Sequence, residues 1–166
     1  MTVYIALYGL DENTPVLLNA LEKMDLPVCI FLTAEEIYAS DDLVRRVLGE
    51  GGCVGVRFVQ EPETEAEAYR KALRDVAMCT GFLAASDDPS LLSREDAEEL
   101  GVSLWSADGS AGSFSDCRSR LETAKKDCVL LLNSGFDEMS ALRSKLEKEH
   151  YTVSGITDTM KARKTP

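Results

Sequence analysis

The stretch TPVLLNALEKMDLPVCIFLTAEEIYASDDLVRRVLGEGGCVGVRF, residues 14–58, decides the fold class of this chain. Its first part predicts a helix, because Thr14 suits an N-cap, Pro15 suits the first helical position, and apolar residues follow at helical spacing. The apolar runs PVCIFLT (27–33) and CVGVRF (53–58) predict buried strands, separated by a second helix that ends at a pair of glycines. Helix and strand therefore alternate along this stretch.

The same alternation extends outward from this stretch to both ends of the chain. It gives seven predicted strands, at residues 2–8, 27–33, 53–58, 77–84, 102–107, 128–133 and 151–156. The remaining helical patterns are 62–75, a segment with a capping box at Ser93 and Asp96, 114–126 and 137–149. This order predicts an α/β fold with a parallel sheet, and periodicity alone leaves open whether the sheet is an open layer or a barrel.

Size and charge narrow the functions that the chain can have. With 166 residues, 45% of them hydrophobic, we expect a single domain spanning residues 1–166. The net charge of -11 repels phosphate backbones and anionic lipid headgroups, so we expect no nucleic-acid partner and no membrane insertion. The N-terminus lacks the basic and apolar regions of a signal peptide. We therefore expect either a cytoplasmic protein or an excised domain of a cell-envelope protein.

The cysteine pattern favours packing over chemistry. The chain has five cysteines with no C-x-x-C spacing, namely Cys29, Cys53, Cys79, Cys117 and Cys128. Their odd number and their position in apolar runs favour reduced, buried thiols that act as small hydrophobic side chains. A zinc site is not expected, because His150 is the only histidine and tetrahedral sites need clustered Cys or His ligands.

The residues quoted above resemble the N-terminal half of the NodB-like polysaccharide deacetylases. That family opens its first helix with threonine and proline, ends a strand in a phenylalanine-rich run, and leads into its metal site through a segment similar to DDLVRRVLGEGG (41–52). Further along, ELGVSLWSAD (99–108), CVLLLNSG (128–135) and HYTVSGITD (150–158) resemble later parts of the family. The resemblance covers nearly the whole chain. It implies a distorted (β/α)7 barrel with its site at the C-terminal ends of the strands.

The resemblance also implies a chemistry, and the residues that would perform it are mostly replaced here. Family members hold a divalent metal with an aspartate and two histidines, and they use a second aspartate as general base. In this sequence the base position falls on Leu10 and the metal aspartate on Asp11. The two histidine positions fall on Arg57 and Glu61.

The later motifs are replaced as well. The arginine thought to hold the base falls on Leu83, the general-acid histidine falls on Asn133, and the family's Asp-Trp pair falls on Ala111 and Gly112. Leucine cannot accept a proton, arginine cannot bind a metal, and asparagine has no usable acid near neutral pH. The resemblance therefore implies a catalytically inactive, polysaccharide deacetylase-like domain that has lost the family metal and needs no cofactor.

Three side chains lead to more specific expectations at this vestigial site. Arg57 is expected to replace the metal electrostatically and to pair with Asp11 or Glu61, because a guanidinium presents a fixed fork of donors to carboxylates. Tyr8 ends the first strand and is expected to face the vacated site or the barrel interior. Trp105 lies in an apolar run, where it is either a core residue or a platform for stacking a sugar.

Three functions remain open on the sequence alone. The first is a non-catalytic module that binds a glycan or a protein partner through the old site face. The second is a deacetylase or related hydrolase of C–N bonds with an atypical site built from Asp11, Glu61 or Asn133. The third is a structural domain. An open groove with exposed Tyr8 or Trp105 would favour binding, whereas a groove filled by Arg57 would favour a structural role.

Overall fold

The computed structural model describes residues 1–59, 61–79, 83–86, 93–104, 110–133 and 135–155. The strands in these ranges are β1 (Thr2–Tyr8), β2 (Cys29–Leu32), β3 (Cys53–Phe58), β4 (Leu83–Ser86), β5 (Ser103–Leu104), β6 (Ser110–Ala111), β7 (Cys128–Leu132) and β8 (Thr152–Val153). The helices are α1 (Thr14–Lys23), α2 (Ala34–Ala39), α3 (Asp41–Gly49), α4 (Pro62–Ala77), α5 (Arg94–Glu99), α6 (Phe114–Thr123) and α7 (Met139–Lys148).

The strands form one curled parallel sheet surrounded by helices, as the sequence predicts. The order along the sheet is β5-β4-β3-β2-β1-β7-β6, and every pairing is parallel. β8 also pairs with β1, through Val3, which faces Val153 on one side and Cys128 on the other. Further along β1, Ala6 has Cys29 of β2 on one side and Leu131 of β7 on the other. β7 therefore occupies one side of β1, and the other side is shared by β8, beside the start of β1, and β2, beside its end.

The two faces of this sheet differ in what they bury. Alternate residues of each strand point outward to the helices, and these residues form the main core with the apolar stripes of the helices. On the first three strands the outward set is Val3, Ile5, Leu7, Ile30, Leu32, Val54, Val56 and Phe58. The concave inner face holds a much smaller cluster around Tyr4, Ala6, Cys29, Phe31 and Ala85.

The helix ends follow local capping rules. Ser93 and Asp96 form the predicted capping box at the start of α5, each side chain accepting the other residue's backbone N–H. A second capping box, formed by Thr33 and Glu36, begins α2, a short helix that was not predicted from the sequence. Asn13, and not Thr14, occupies the N-cap of α1, and Thr14 is buried inside the first turn. No helix in the described ranges is both long and apolar enough to cross a membrane.

One predicted strand was wrong in its bounds. The run 77–84 was assigned to a strand, but α4 continues to Ala77 and ends at Met78 in a left-handed conformation, while β4 is Leu83–Ser86. A short apolar run cannot be assigned to helix or strand by periodicity, so the boundary depended on packing against α2 and β3. The short strand β6 was also missed, and the sequence gives seven strands where the described residues show eight.

The structure also corrects the prediction that all the cysteines are reduced. Cys29 and Cys53 form a disulfide, and their Cα atoms are 4.5 Å apart. They pair directly across β2 and β3, a neighbour relation that strand patterns in the sequence do not reveal. Cys79, Cys117 and Cys128 remain thiols.

Candidate functional site

The candidate site lies at the C-terminal edge of the sheet, where parallel strands bring their last residues together. Strand alternation puts Tyr8, Arg57 and Asn133 on the concave side, because their strand neighbours Leu7, Val56 and Leu132 all pack in the outer core. The sequence analysis selected all three of these positions. The structure therefore places them on the same face of the same edge.

Arg57 lies near the end of β3, opposite Ala85 of β4. Its Nη1 atom is 4.0 Å from Oε1 of Glu36, and the side chains are 27% and 23% exposed. The guanidinium also lies over Gly9, so closely that a Cβ atom at this position would be 2.5 Å from Nη1. Gly9 has φ +71, so a side chain there would be disfavoured by the backbone as well as by the lack of space.

Glu36 is the residue that connects the first three strand ends, and the sequence analysis missed it as a site residue. Its carboxylate accepts the backbone N–H of Leu10 at 2.7 Å and of Thr33 at 3.0 Å, in addition to its ion pair with Arg57. One side chain thus joins the loop after β1, the end of β2 and the end of β3. The pattern Thr33-x-x-Glu36 is a capping-box signature and could have marked this helix start, although not the contact with Arg57.

Asp11 serves the start of α1 through a network of local hydrogen bonds. Its Oδ1 atom accepts the N–H of Asn13 at 2.8 Å and lies 3.4 Å from the hydroxyl of Thr14. Its own N–H donates to the Thr14 hydroxyl oxygen at 3.0 Å, and the residue as a whole is exposed. Leu10, at the base position, is partly buried and packs against the main core.

Tyr8 is half-buried and packs edge-on against Phe31 of β2. The ring centroids are 5.5 Å apart with an interplanar angle of 77°. This T-shaped contact is a favourable arrangement for two aromatic rings, and it orients Tyr8 towards the inner cluster of the sheet. Tyr8 therefore faces the barrel interior, which is one of the two orientations that the sequence analysis considered.

The remaining site positions differ in their setting. Glu61 is exposed and directly precedes α4, with Pro62 as the first helical residue.

Asn133 is exposed and donates its N–H to the carbonyl of Ala111. Its side-chain amide lies against Gly112, where a Cβ would be 2.9 Å from Nδ2. The glycine at position 112 therefore makes room for the amide of Asn133. Trp105 and the side chain of Leu83 lie outside the described part of the structure.

The described residues at this edge do not fit the divalent metal that the resemblance implies. Within the described ranges, no three His, Cys, Asp or Glu side chains group in a way that could hold a metal. A guanidinium stands at one of the implied ligand positions, and a guanidinium has no lone pair to donate. Both carboxylate oxygens of Glu36, and Oδ1 of Asp11, already accept hydrogen bonds.

Two other places in the structure bear on possible chemistry. Burial, together with the neighbouring carboxylate of Asp116, raises the pKa of the Cys117 thiol to about 12, so Cys117 is a poor nucleophile near neutral pH.

A surface cavity of 360 Å³ lies between α4 and the end of α5, lined by Arg70, Arg74 and Glu99 among others. This cavity is on the helical layer and not at the strand ends.

The arrangement of strands and helices matches solved deacetylase structures. A family 4 carbohydrate esterase from Streptomyces lividans, in complex with acetate, aligns with a TM-score of 0.81 at 15% identity over 99% of this chain and 97% of that chain. A polysaccharide deacetylase from Bacillus cereus aligns with a TM-score of 0.76 at 16% identity over 96% and 93% of the two chains. PdaA from Bacillus subtilis, also a family 4 carbohydrate esterase, gives 0.77 at 18% identity over 96% and 80%.

By sequence, no family model and no curated protein matches the chain. Identities this low establish the fold and leave the activity undetermined, because unrelated functions can share one architecture. The similarity nevertheless spans nearly the full length of both partners in the alignments with the Streptomyces lividans and Bacillus cereus structures. The chain has the NodB-like barrel fold of the polysaccharide deacetylases of carbohydrate esterase family 4.

Proposed function

We propose that this domain is a non-catalytic relative of the polysaccharide deacetylases, that it holds no metal, and that it acts as a structural or partner-contacting module. The observation that carries the proposal is the ion pair of Arg57 and Glu36 at the C-terminal strand edge. Arg57 stands where the resemblance assigns a metal-binding histidine. A permanent cation at this position, already neutralised by a carboxylate, leaves no role for a metal cation beside it.

The other implied catalytic positions support the same conclusion. Leu10 and Asn133 stand at the positions of base and acid, and neither side chain can exchange a proton near neutral pH. Asp11, the retained aspartate, uses a carboxylate oxygen to order the first turn of α1. General acid–base catalysis needs titratable groups that face a common substrate position, and these residues do not supply them.

The contents of the site edge favour a structural role over glycan stacking. A platform for stacking a sugar needs an accessible aromatic ring, whereas Tyr8, the candidate that lies in the described residues, is half-buried and in contact with Phe31. Arg57 covers Gly9 and pairs with Glu36, so its guanidinium occupies the space next to the end of β1. We therefore infer that this edge mainly fixes the strand ends, and that any partner is a protein surface or a glycan contacted by exposed groups around it.

The proposal is tested by measuring acetate release from N-acetylated chito-oligosaccharides in the presence of zinc, cobalt or manganese. We expect no release above the uncatalysed rate, because base, acid and two metal ligands normally contribute orders of magnitude each. An active family 4 carbohydrate esterase serves as the positive control. Metal-dependent release that is abolished in Asp11→Ala would refute the proposal and would favour an enzyme with an atypical site.

A calorimetric zinc titration distinguishes two cases. Either the metal site has been lost, or the implied metal-ligand positions have been assigned to the wrong residues. The double variant Arg57→His, Glu61→His restores the two histidine ligands that the resemblance groups with Asp11, and we expect it to bind zinc where the native protein does not. The matched control Arg57→Gln, Glu61→Gln removes the same charges without adding ligands. Zinc binding by the native protein would contradict the proposal, and equal binding by both double variants would contradict the assigned positions.

A further inference from the structure

We propose that the Cys29–Cys53 disulfide is a permanent cross-link of the inner face, formed as the chain folds under oxidising conditions and protected from reductants afterwards. The cross-link lies at the N-terminal ends of β2 and β3, away from the strand edge that carries Arg57. The inference is therefore independent of the proposed function, which it neither requires nor supports.

The sheet itself brings the two sulfur atoms together. Cys29 and Cys53 are direct partners in the parallel register of β2 and β3, followed by Ile30 with Val54 and Phe31 with Gly55. Both side chains point to the concave face, where Cys29 belongs to the inner cluster and Cys53 packs against it. The Cα separation of 4.5 Å lies within the range that disulfides span, so oxidation requires no rearrangement of the strands.

Burial makes the cross-link difficult to reduce in the folded protein. Cys29 is fully buried, with Tyr4, Ala6 and Phe31 in its cluster, whereas Cys53 is partly exposed. An attacking thiolate therefore has better access on the Cys53 side, and attack on the Cys53 sulfur expels the S–S electron pair as a thiolate on Cys29. A thiolate in an apolar interior is a poor leaving group, because desolvation disfavours its charge.

The chemistry of formation indicates where the domain matures. The two thiols lose two protons and two electrons. A small-molecule disulfide such as oxidised glutathione accepts these protons and electrons and is cleaved to two thiols. Structural disulfides of this kind form and persist in oxidising compartments and are rare in a reducing cytosol. Of the two locations expected from the sequence, the disulfide thus favours the cell envelope.

Alkylation of the unfolded protein, followed by mass spectrometry, tests whether the cross-link forms. Protein produced in the oxidising periplasm of a bacterial host should take up label on Cys79, Cys117 and Cys128 only, and on all cysteines after reduction. Protein produced in the reducing cytosol should be labelled on all of them without reduction. Label on Cys29 and Cys53 in the periplasmic protein would overturn the proposal, and a complete cross-link in the cytosolic protein would overturn the requirement for an oxidising compartment.

Protection is tested by incubating the periplasmic protein with dithiothreitol, both in native buffer and in urea. We expect the cross-link to persist at least tenfold longer in native buffer, since attack on the more accessible Cys53 sulfur makes the buried Cys29 the leaving group. Equal rates would identify a reversible switch and would overturn the proposal.

Cleavage should lower Tm by about 6 to 12 °C, the size expected for opening a loop of this length in a chain of this size. The variant Cys29→Ala, Cys53→Ala should show no response of Tm to reductant, and a response would assign the effect to other residues.

Discussion

The outer and inner faces of the sheet are made from the same strands, yet they hold the structure together by different means. On β7, Leu130 points outward and is completely buried against the helices, while its neighbour Leu131 points inward and is only partly buried. The outer face is uniformly apolar. The inner face combines a small aromatic cluster with a disulfide near one end and the ion pair of Arg57 and Glu36 at the other.

The difference shows that the two faces of one sheet constrain the sequence to different degrees. Burial of apolar surface depends on area and not on direction, so the outer face needs only the alternation of hydrophobic residues to be retained. The inner strand edge depends on particular side chains in particular positions. Side chains at that edge can therefore be replaced while the apolar layer on the outer face is kept.

The largest expected effect compares the two neighbouring leucines of β7. Leu130→Ala should lower the free energy of unfolding by about 2 to 5 kcal/mol, because it leaves a cavity in the main core. Leu131→Ala removes the same atoms from the partly open inner face and should cost less than about 2 kcal/mol. Urea titration followed by circular dichroism measures both. Equal costs would mean that the inner face carries as much stability as the outer one.

A smaller effect is expected at the inner strand edge. Glu36→Ala should cost about 1 to 3 kcal/mol, because the N–H groups of Leu10 and Thr33 both lose their acceptor. Arg57→Ala should cost less, under about 1 kcal/mol, because its ion pair is long and both partners are partly exposed. Chemical denaturation measures this order.

A control variant separates the two roles of Glu36. Glu36→Gln keeps a carbonyl oxygen that can accept from a backbone N–H but removes the charge that faces Arg57. Because the N–H groups of Leu10 and Thr33 bond to different oxygens of Glu36, glutamine keeps only one of the two acceptors, and its cost should lie between those of Arg57→Ala and Glu36→Ala. If Arg57→Ala proves the most costly of the three variants, the ion pair and not the capping of the strand ends holds this edge together.

A further comparison, which appears only at high pH, concerns the titration of cysteines on the two faces. Burial raises the pKa of the Cys117 thiol from 9.0 to about 12, whereas Cys29 and Cys53 do not titrate because they are disulfide-bonded. A raised folded-state pKa contributes stability that is present below the unfolded pKa and is lost as pH rises through the window from 9 to about 12. The loss from Cys117 should reach about 1.4 kcal/mol by pH 10.

Unfolding measured at pH 8 and pH 10, in the native protein and in Cys117→Ala, tests this sign. The variant should lose less stability between the two pH values than the native protein does. The difference isolates Cys117 from the lysines and tyrosines that also titrate at high pH. Identical losses would show that this thiol is not shielded from water in the outer layer.

The sequence predicted the outer layer better than the inner edge. The stripes of α1, α3 and α4 and the alternation of β1 to β3 are set by the period of their apolar residues, and these elements were placed correctly. The run at 77–84 failed because its composition suits helix and strand equally. At the edge, Arg57 was predicted from a resemblance, but Glu36 could not be predicted, because it lies 21 positions earlier and meets Arg57 only in space.

By itself the sequence determined the alternation of elements and the capping box of Ser93 and Asp96, since both depend on residue identity or short spacing. Tertiary structure alone decided that Cys29 pairs with Cys53, that Glu36 spans three strand ends, and that Gly9 lies beneath Arg57. The physical reason is register. Parallel strands are joined through long crossover connections, so the residues that become neighbours across the sheet are set by the packing of whole layers and not by local spacing.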